Sequence, residues 1–382
     1  MTARAVLIVG ESLAGTSAAR ELRALGHTGP VTIIGAERHG AYSRPPLSKS
    51  VLKDADADDT IGQDLDGLGI DIVRSPAIGA DTSRRTVTTA DGRVFGYDAL
   101  IIATGAEARR LAGPGRRGEL VLRTLDDALL LRGRLHAAAS AIVVGAGFLG
   151  MEVASACAAR GIPVTVVDVE RPLERILGGY LSAAITARAE AYGIRCVRTS
   201  GFAALAGDPV SGVSLPDGTG LTADLVVTCA GETPCTGWLA GTGLADDLGV
   251  GVDGFCATGV PGVFAAGDVT YLRADGSGPD RRAPFWSNAL AQAKVAAASA
   301  LGLAPAGAPY DDYFWTEVAG LALKVVGPLP LTGEPTTLKG RLEDGRALLT
   351  WKHPDGTSTV VAYGIRKPIK ALRTLANAAQ TQ

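Results

Sequence analysis

The chain has few of the residues on which several common kinds of site depend. Its 382 residues include 4 histidines and 5 cysteines, and no two cysteines stand in a Cys-x-x-Cys spacing. An odd number of thiols without paired spacing excludes a disulfide framework and indicates a reduced, cytoplasmic protein. The histidines are scattered along the sequence, so we expect no zinc site or other metal centre.

Charge of one sign and long hydrophobic runs are lacking too. The 37 Lys and Arg residues nearly balance the 39 Asp and Glu residues, which gives a net charge of −2. That balance argues against a general nucleic-acid binder or a polybasic membrane-surface protein. No apolar run reaches the roughly 18–20 residues of a membrane span, and no signal peptide precedes the first predicted strand. We therefore expect neither a nucleic-acid nor a membrane partner.

A strand–loop–helix–strand unit occurs twice in the sequence. In the first copy an apolar strand at 5–9 leads into a glycine loop at 10–15, then a helix to about Leu25 and a strand at 31–34. The second copy is predicted as a strand at 141–144, a loop at 145–150, a helix through Glu152 to about Arg160 and a strand at 164–167. Two dinucleotide-binding folds in one chain imply two bound dinucleotides.

The C-terminal region has a different pattern. From Pro309 onward the apolar residues alternate, which predicts a small antiparallel sheet, closed by a helix near 369–376. The fold class is therefore α/β, with two Rossmann-like dinucleotide-binding domains and a small α+β C-terminal domain.

The first glycine loop departs from the Gly-x-Gly-x-x-Gly pattern, because Ser12 replaces the middle glycine. A serine fits that turn if its backbone dihedrals are ordinary, although its side chain approaches the pyrophosphate. The N–H groups at the helix start would bind the pyrophosphate, and Glu37, beyond the second strand, would accept hydrogen bonds from the ribose hydroxyls. The alternative is an ordinary strand–helix turn with a surface glutamate.

The second glycine loop is complete, with Gly145, Gly147 and Gly150, and Asp168 ends the following strand. A carboxylate at that place pairs with a free 2′-hydroxyl and repels a 2′-phosphate, which favours NADH over NADPH. Positive charge from the nearby Arg171 acts against this preference, so we do not expect it to be strict.

Several motifs together resemble a known family. The two units, with ATG at 103–105 and AGD at 266–268, resemble the flavoprotein reductases that bind FAD and NAD(P)H in two dinucleotide folds. The segment RPPLSK at 44–49 is similar to the putidaredoxin reductase type, which reduces [2Fe–2S] ferredoxins for cytochrome P450 or Rieske-type oxygenases. WSNA at 286–289 and YFW at 313–315 fit the same branch.

The resemblance implies an FAD-dependent NADH:ferredoxin oxidoreductase, a monomer or homodimer, whose ferredoxin serves a P450 or Rieske oxygenase. It implies a discontinuous FAD-binding domain at 1–111 and 241–305, an NAD(H)-binding domain at 112–240 and a C-terminal α+β domain at 306–382. It also implies site residues. For FAD these are Gly10, Ser12, Leu13, Ala14, Gly15, Glu37, Arg44, Pro46, Lys49, Ala77, Ala103, Thr104, Gly105, Gly267, Asp268 and Trp286. For NADH they are Gly145, Gly147, Phe148, Leu149, Gly150, Asp168 and Gly231.

The catalytic residues that the resemblance implies are Lys49, Glu152, Trp286 and Trp315. Lys49 and Glu152 would pair beside flavin N5, with Lys49 held rigidly after two prolines and Glu152 on the first turn of the second helix. A lysine ammonium there would stabilise the anionic reduced flavin. The alternatives are a surface lysine, a glutamate favoured by the helix dipole, and tryptophans that are core aromatics.

The electron acceptor is the least determined part. Disulfide reductases of the superfamily place two cysteines beside the flavin, whereas this chain has RPPLSK there, so electrons would leave from the flavin itself. An acidic ferredoxin would need a local basic surface. Candidates are Arg109, Arg110, Arg116, Arg117, Arg273, Arg281, Arg282, Lys339, Lys367 and Lys370. The alternatives are an NADH oxidase or NADH-dependent reductase of a small molecule, and a redox-responsive NADH-binding flavoprotein.

Overall fold

A computed structural model describes residues 4–53, 61–274 and 280–378 of the chain. These residues divide into two compact units, each built from separate stretches of sequence. The first unit draws on the ranges Met1–Ser43, Asp59–Glu107 and Thr233–Asp311. The second draws on Arg44–Asp58, Ala108–Glu232 and Asp312–Gln382. No helix in the described ranges is long and apolar enough to cross a membrane.

The described residues form seven α-helices and 25 strands. The helices are α1 (Leu13–Ala24), α2 (Ser50–Lys53), α3 (Leu125–Leu135), α4 (Phe148–Ala159), α5 (Glu174–Ala191), α6 (Trp286–Ala300) and α7 (Ile369–Ala378). The strands are β1 (Val6–Val9), β2 (Val31–Gly35), β3 (Asp71–Arg74), β4 (Ala77–Asp81), β5 (Thr86–Thr89), β6 (Val94–Gly96), β7 (Ala99–Ile102), β8 (Ala106–Ala108), β9 (Glu119–Val121), β10 (Ala141–Val144), β11 (Val164–Asp168), β12 (Ile194–Arg198), β13 (Ala204–Ala206), β14 (Gly212–Ser214), β15 (Gly220–Thr222), β16 (Leu225–Thr228), β17 (Glu232–Pro234), β18 (Val250–Val252), β19 (Val263–Ala265), β20 (Thr270–Leu272), β21 (Tyr313–Val318), β22 (Leu321–Val326), β23 (Thr336–Arg341), β24 (Arg346–Lys352) and β25 (Ser358–Tyr363).

The first unit contains a parallel sheet in the order β19-β7-β1-β2-β3. Its central strands β1 and β7 are apolar at every position and fully buried, because helices and further strands cover both faces. One core packs α1 and α6 against the sheet, and the other lies on the opposite strand faces, around Trp238 and Val250. The glycine loop leaves the sheet at the carboxyl end of β1, where ligands of open α/β sheets bind.

The second unit repeats this arrangement and adds a second sheet. Its parallel sheet has the order β12-β11-β10-β16-β9. Residues after Asp311 form the antiparallel sheet β21-β22-β25-β24-β23, on which α7 packs through Leu372 and Ala376. The predicted α/β fold is thereby confirmed. The predicted boundaries at 111/112, 240/241 and 305/306 stay a prediction.

Candidate functional site

The first glycine loop is shaped by backbone contacts that only glycine permits. Gly10 has a φ of +124°, and a Cβ atom on it would lie 2.0 Å from the carbonyl oxygen of Ala103. A Cβ on Gly15 would lie 1.9 Å from the carbonyl oxygen of Gly10. Ser12 has φ −120° and ψ −165°, an extended conformation that any residue adopts. The replacement of the middle glycine therefore leaves the loop geometry intact.

The start of α1 has the features of a phosphate site. Its N-cap residue Ser12 makes no side-chain capping hydrogen bond, and the same is true of Gly147 at the start of α4. By contrast, Thr124 and Asp127 close the start of α3 with a reciprocal capping box. First-turn N–H groups without a side-chain cap suit an anion, because the helix dipole is positive at that end. The residues present at both loops fit the diphosphate of a dinucleotide.

Several other predicted FAD residues lie in the first unit, and Gly267 lies against the start of α1. A Cβ on Gly267 would lie 3.0 Å from Cβ of Ala14, so the AGD segment abuts the first turn of α1. The Thr104 hydroxyl donates to the carbonyl of Cys235 at 2.8 Å. Glu37 accepts a hydrogen bond from the hydroxyl of Tyr42. Of the remaining predicted residues here, Gly105 has a φ of +66°, Asp268 accepts at its backbone oxygen from Arg282, and Ala77 is the first residue of β4.

The second glycine loop has the same backbone contacts. Gly145 has a φ of +111°, and a Cβ on it would lie 2.3 Å from the carbonyl oxygen of Cys229. A Cβ on Gly150 would lie 1.9 Å from the carbonyl oxygen of Gly145. A Cβ on Gly147 would meet nothing within 4 Å, so the helix start is open there. Gly231, with a φ of +95°, follows the neighbouring strand β16.

Asp168 is tied into the second loop by its own carboxylate. Oδ2 accepts the N–H of Ala146 at 2.6 Å, and Oδ1 accepts the N–H groups of Val169 at 2.6 Å and Glu170 at 3.2 Å. The carboxylate thus fixes the loop to the end of β11 and places negative charge there. Nearby, Glu170 pairs with Arg175 at 3.1 Å, which offsets its charge.

Lys49 and Glu152 form a nearly buried ion pair in the second unit. Their side chains are 17% and 8% exposed, and Lys49 Nζ lies 2.7 Å from Glu152 Oε2. The same oxygen accepts a hydrogen bond from the hydroxyl of Ser48, while Oε1 accepts from Thr316 Oγ1 at 2.6 Å. A nearly buried carboxylate with three donors is fixed in one orientation.

Lys49 follows the two prolines as predicted, whereas Glu152 lies further along its helix than predicted. Lys49 directly follows the 3₁₀ helix Pro45–Ser48, in which Pro46 fixes the backbone, and Arg44 at its start donates to the carbonyl of Arg123 at 2.7 Å. Glu152 is the fifth residue of α4 and not on its first turn, because the helix already begins at Phe148. The helix dipole therefore contributes less to its charge than predicted.

The aromatic candidates lie in separate units. Trp286 is the first residue of α6 in the first unit and is 38% exposed. Trp315 on β21 in the second unit stacks on Tyr313, with ring centroids 5.8 Å apart. Phe148 lies against Phe314 at 4.8 Å, and Leu149 beside it is half-buried. Whether either tryptophan reaches a flavin stays a prediction.

Several of the predicted basic residues have structural hydrogen bonds. Arg116 donates to the carbonyls of Leu205 and Gly207, and Arg273 donates to that of Thr258. Lys339, in contrast, lies on β23, whose residues are all exposed. The basic surface for a partner stays a prediction.

Burial makes three of the thiols unsuited to electron relay. No disulfide bond joins any two of the five cysteines, all of which lie in the described ranges. Removal from water raises the pKa of Cys157 and of Cys196 to about 11 and that of Cys229 to about 12. A thiol that stays protonated is a poor nucleophile.

Sequence reasoning named Lys49 but missed the two hydroxyl partners of Glu152, Ser48 and Thr316. Ser48 stands next to Lys49 in the predicted motif and could have been named with it. Thr316 lies 164 residues from Glu152, and no local sequence pattern predicts a contact at that separation. Tyr42, the partner of Glu37, was also missed, although it lies only five residues away.

Comparison with known proteins places these features in context. The family described as "Pyridine nucleotide-disulphide oxidoreductase" matches residues 4–298. The ferredoxin reductase component of chlorobenzene dioxygenase from Cupriavidus sp. (strain PS12) is 35% identical, over 90% of this chain and 85% of its own. A rubredoxin-NAD(+) reductase from Ectopseudomonas oleovorans is 33% identical, over 85% and 87%. The crystal structure of the covalent putidaredoxin reductase–putidaredoxin complex has a TM-score of 0.88 and 26% identity, and covers 100% of this chain and 94% of that one.

Proposed function

Since the chain belongs to the pyridine nucleotide-disulphide oxidoreductase family, we propose that it passes electrons from NADH through FAD to a [2Fe–2S] ferredoxin. The family resemblance predicted from the sequence is confirmed, as is the assignment to the oxidoreductases. The proposed ferredoxin would serve a P450 or Rieske-type oxygenase, in line with the dioxygenase relative.

The two glycine loops divide the cofactors between them. The first loop, with Gly10, Gly15 and Glu37, would hold FAD, and the second, with Gly145, Gly150 and Asp168, would hold NADH. FAD held there would supply hydride acceptance and one-electron release, which is the chemistry that an iron–sulfur acceptor requires. The carboxylate of Asp168 at the end of β11 supports NADH over NADPH, because it disfavours a 2′-phosphate.

The pair of Lys49 and Glu152 is the observation that carries this proposal. Ordinary surface ion pairs are exposed and weakly held, whereas this one is nearly buried and has two further hydroxyl donors. Glu152 holds the ammonium of Lys49 in one place, so that its positive charge would stabilise the anionic reduced flavin. No proton transfer is needed from either residue, since hydride transfer requires no general acid.

The acceptor is supported by two features. The high pKa of Cys229 argues against a disulfide relay, and the relatives include a ferredoxin reductase component and a rubredoxin-NAD(+) reductase. The rubredoxin reductase relative makes a rubredoxin the second candidate acceptor. A cytoplasmic location and a monomer or homodimer remain predictions.

The test is NADH-driven reduction of cytochrome c by the purified flavoprotein, with no addition, with a [2Fe–2S] ferredoxin and with a rubredoxin. NADPH is run in parallel, and oxygen uptake is recorded. We expect a large rate that depends on ferredoxin and prefers NADH. Equal NADH consumption without any protein acceptor, accompanied by oxygen uptake, would establish an oxidase or small-molecule reductase. Slow turnover with every acceptor and a long-lived reduced complex would point to a redox-responsive binding protein.

A further inference from the structure

Glu11 occupies the second position of the first glycine loop, where a carboxylate is unexpected beside a diphosphate. Its side chain is 5% exposed, and Oε1 lies 3.3 Å from Nη2 of Arg74, whose side chain is 53% exposed at the end of β3. Oε2 is buried and has no hydrogen-bond partner among the described residues. A buried carboxylate oxygen without a hydrogen-bond partner in a cofactor loop needs a structural explanation.

The hydrogen-bond register aligns the two loops residue by residue. The N–H of Gly10 donates to the carbonyl of Ile34, and the N–H of Gly145 donates to that of Val167. Gly35 is therefore the counterpart of Asp168, and Glu11 is the counterpart of Ala146.

The two folds carry a carboxylate at opposite members of these paired positions, one on the strand end and the other on the loop. In the second loop it belongs to the strand end, and Asp168 reaches back to the N–H of Ala146. In the first loop it belongs to Glu11, which reaches forward over Gly35. A Cβ on Gly35 would lie 2.3 Å from Glu11 Oε2 and 2.7 Å from Glu11 Cβ. Gly35 has no positive φ, so the space that Glu11 occupies, and not backbone strain, accounts for the glycine.

From this exchange we propose that Glu11, held by Arg74, anchors the first glycine loop to the ends of β2 and β3 and so sets how tightly the chain retains FAD. Glu11 would hold the loop through its ion pair with Arg74 and its packing over Gly35, whereas Asp168 holds the second loop through backbone N–H groups. Glu11 is a positioning residue and needs no contact with the cofactor. The inference rests on the proposed FAD site.

The folding stability of the apoprotein does not explain why a glutamate stands at position 11. Burial raises the pKa of the Glu11 carboxyl, with Glu37 acting in the same direction and Arg74 against it. A folded-state pKa above the unfolded one means that the ionised carboxylate lowers folding stability at neutral pH. Glu11→Gln should therefore leave the Tm of the apoprotein unchanged or higher while it weakens FAD binding. A merely structural residue would lower both.

The experiment measures the Kd of apoprotein for FAD by quenching of flavin fluorescence, so it does not depend on any electron acceptor. We expect Glu11→Ala to weaken binding about tenfold, as for one lost charged hydrogen bond. Adding Gly35→Asp to it rebuilds the arrangement of the second loop and should restore binding to within about threefold of the unaltered chain. Gly35→Asp alone should bind poorly, because the two side chains collide.

Arg74→Ala provides a second, independent measurement, since Arg74 is exposed and its removal leaves the core intact. We expect Arg74→Ala to weaken FAD binding about threefold, and to have no further effect once Glu11 is alanine. The proposal is overturned if Glu11→Ala binds FAD normally, or if the two effects add. An unaltered chain that binds FAD normally but does not reduce ferredoxin would count against the proposed function alone. Weak FAD binding in Glu11→Ala with intact NADH binding would support the anchor alone.

Discussion

The two dinucleotide folds are built alike at their glycine loops and differently around them. In both, the first and last glycines lie against backbone carbonyls at 1.9 to 2.3 Å from a hypothetical Cβ. Those positions set the turn, and no side chain can replace them. The positions between them vary, since Glu11 stands opposite Ala146 and Ser12 opposite Gly147.

Alignment from Gly10 and Gly145 shows where the two folds diverge. Ser12 stands opposite Gly147, Ser17 opposite Glu152, and Ala103 opposite Cys229. At this position one turn into the helix, α4 carries a carboxylate and α1 does not, and the carboxylate of Glu152 pairs with Lys49. Under the proposed function, the first glycine loop would hold FAD, and the charged pair beside the second would act on hydride transfer.

The largest effect is expected where the folds agree. Gly15→Ala and Gly150→Ala each place a Cβ 1.9 Å from a carbonyl oxygen, which should destabilise the chain by about 1–3 kcal/mol or more. Gly15→Ala should give a protein without flavin, measured by its visible absorbance, and Gly150→Ala should abolish NADH-dependent flavin reduction. Gly147→Ala is the control, since its Cβ meets nothing. Yellow, fully active Gly15→Ala protein would contradict this account.

A smaller effect is expected at Glu152, a charged residue whose counterpart in the first fold is Ser17. Glu152→Gln leaves the ammonium of Lys49 without its counter-charge and loosens its position, which should slow flavin reduction by NADH about 10- to 100-fold. Stopped-flow absorbance measures this rate. Glu317→Gln is a matched control, because Glu317 is exposed on β21 next to Thr316. An unchanged rate in Glu152→Gln would show that the ion pair with Lys49 has no role in flavin reduction.

Much of this comparison could be predicted from the sequence, because the features that form the folds are local. Apolar runs such as 6–9 and 141–144 are buried on both faces, and their glycine loops follow at once. The order of residues along the chain is therefore enough to locate both loops. Lys49 and Glu152 were paired only through resemblance, since 103 residues separate them.

The rest depends on register and distant contacts. Glu37 and Asp168 each follow a second strand, and sequence alone suggests that they are equivalent. The hydrogen bonds of Gly10 and Gly145 show instead that Asp168 matches Gly35. A shift of two residues is invisible to a pattern of apolar runs, and so was the anchoring contact of Glu11. The contact of Thr316 with Glu152 likewise required the sheet order of the C-terminal strands.

Exchange of the middle loop residues should have only a small effect. Ser12→Gly makes the first loop match the second, and the dihedrals of Ser12 do not require glycine. Added freedom of the unfolded chain should lower stability by about 0.5–1 kcal/mol, with FAD affinity kept within about fivefold. Thermal unfolding and the Kd for FAD measure both. Affinity improved more than tenfold would show instead that the serine side chain obstructs the diphosphate.

The smallest effect is expected at Cys229, which takes the place of Ala103. Its pKa of about 12 lies above that of an unfolded thiol near 8.5, so the folded state holds the proton more tightly. Cys229 therefore contributes no pH dependence near neutrality, and its own contribution to folding stability falls only as pH rises above about 8.5. Cys229→Ala should remove that alkaline loss and leave flavin reduction and acceptor turnover within about twofold, since no thiolate takes part. A more than tenfold loss of turnover in Cys229→Ala, with flavin reduction intact, would show that the thiol carries electrons. The chain would then resemble the disulfide reductases in this respect.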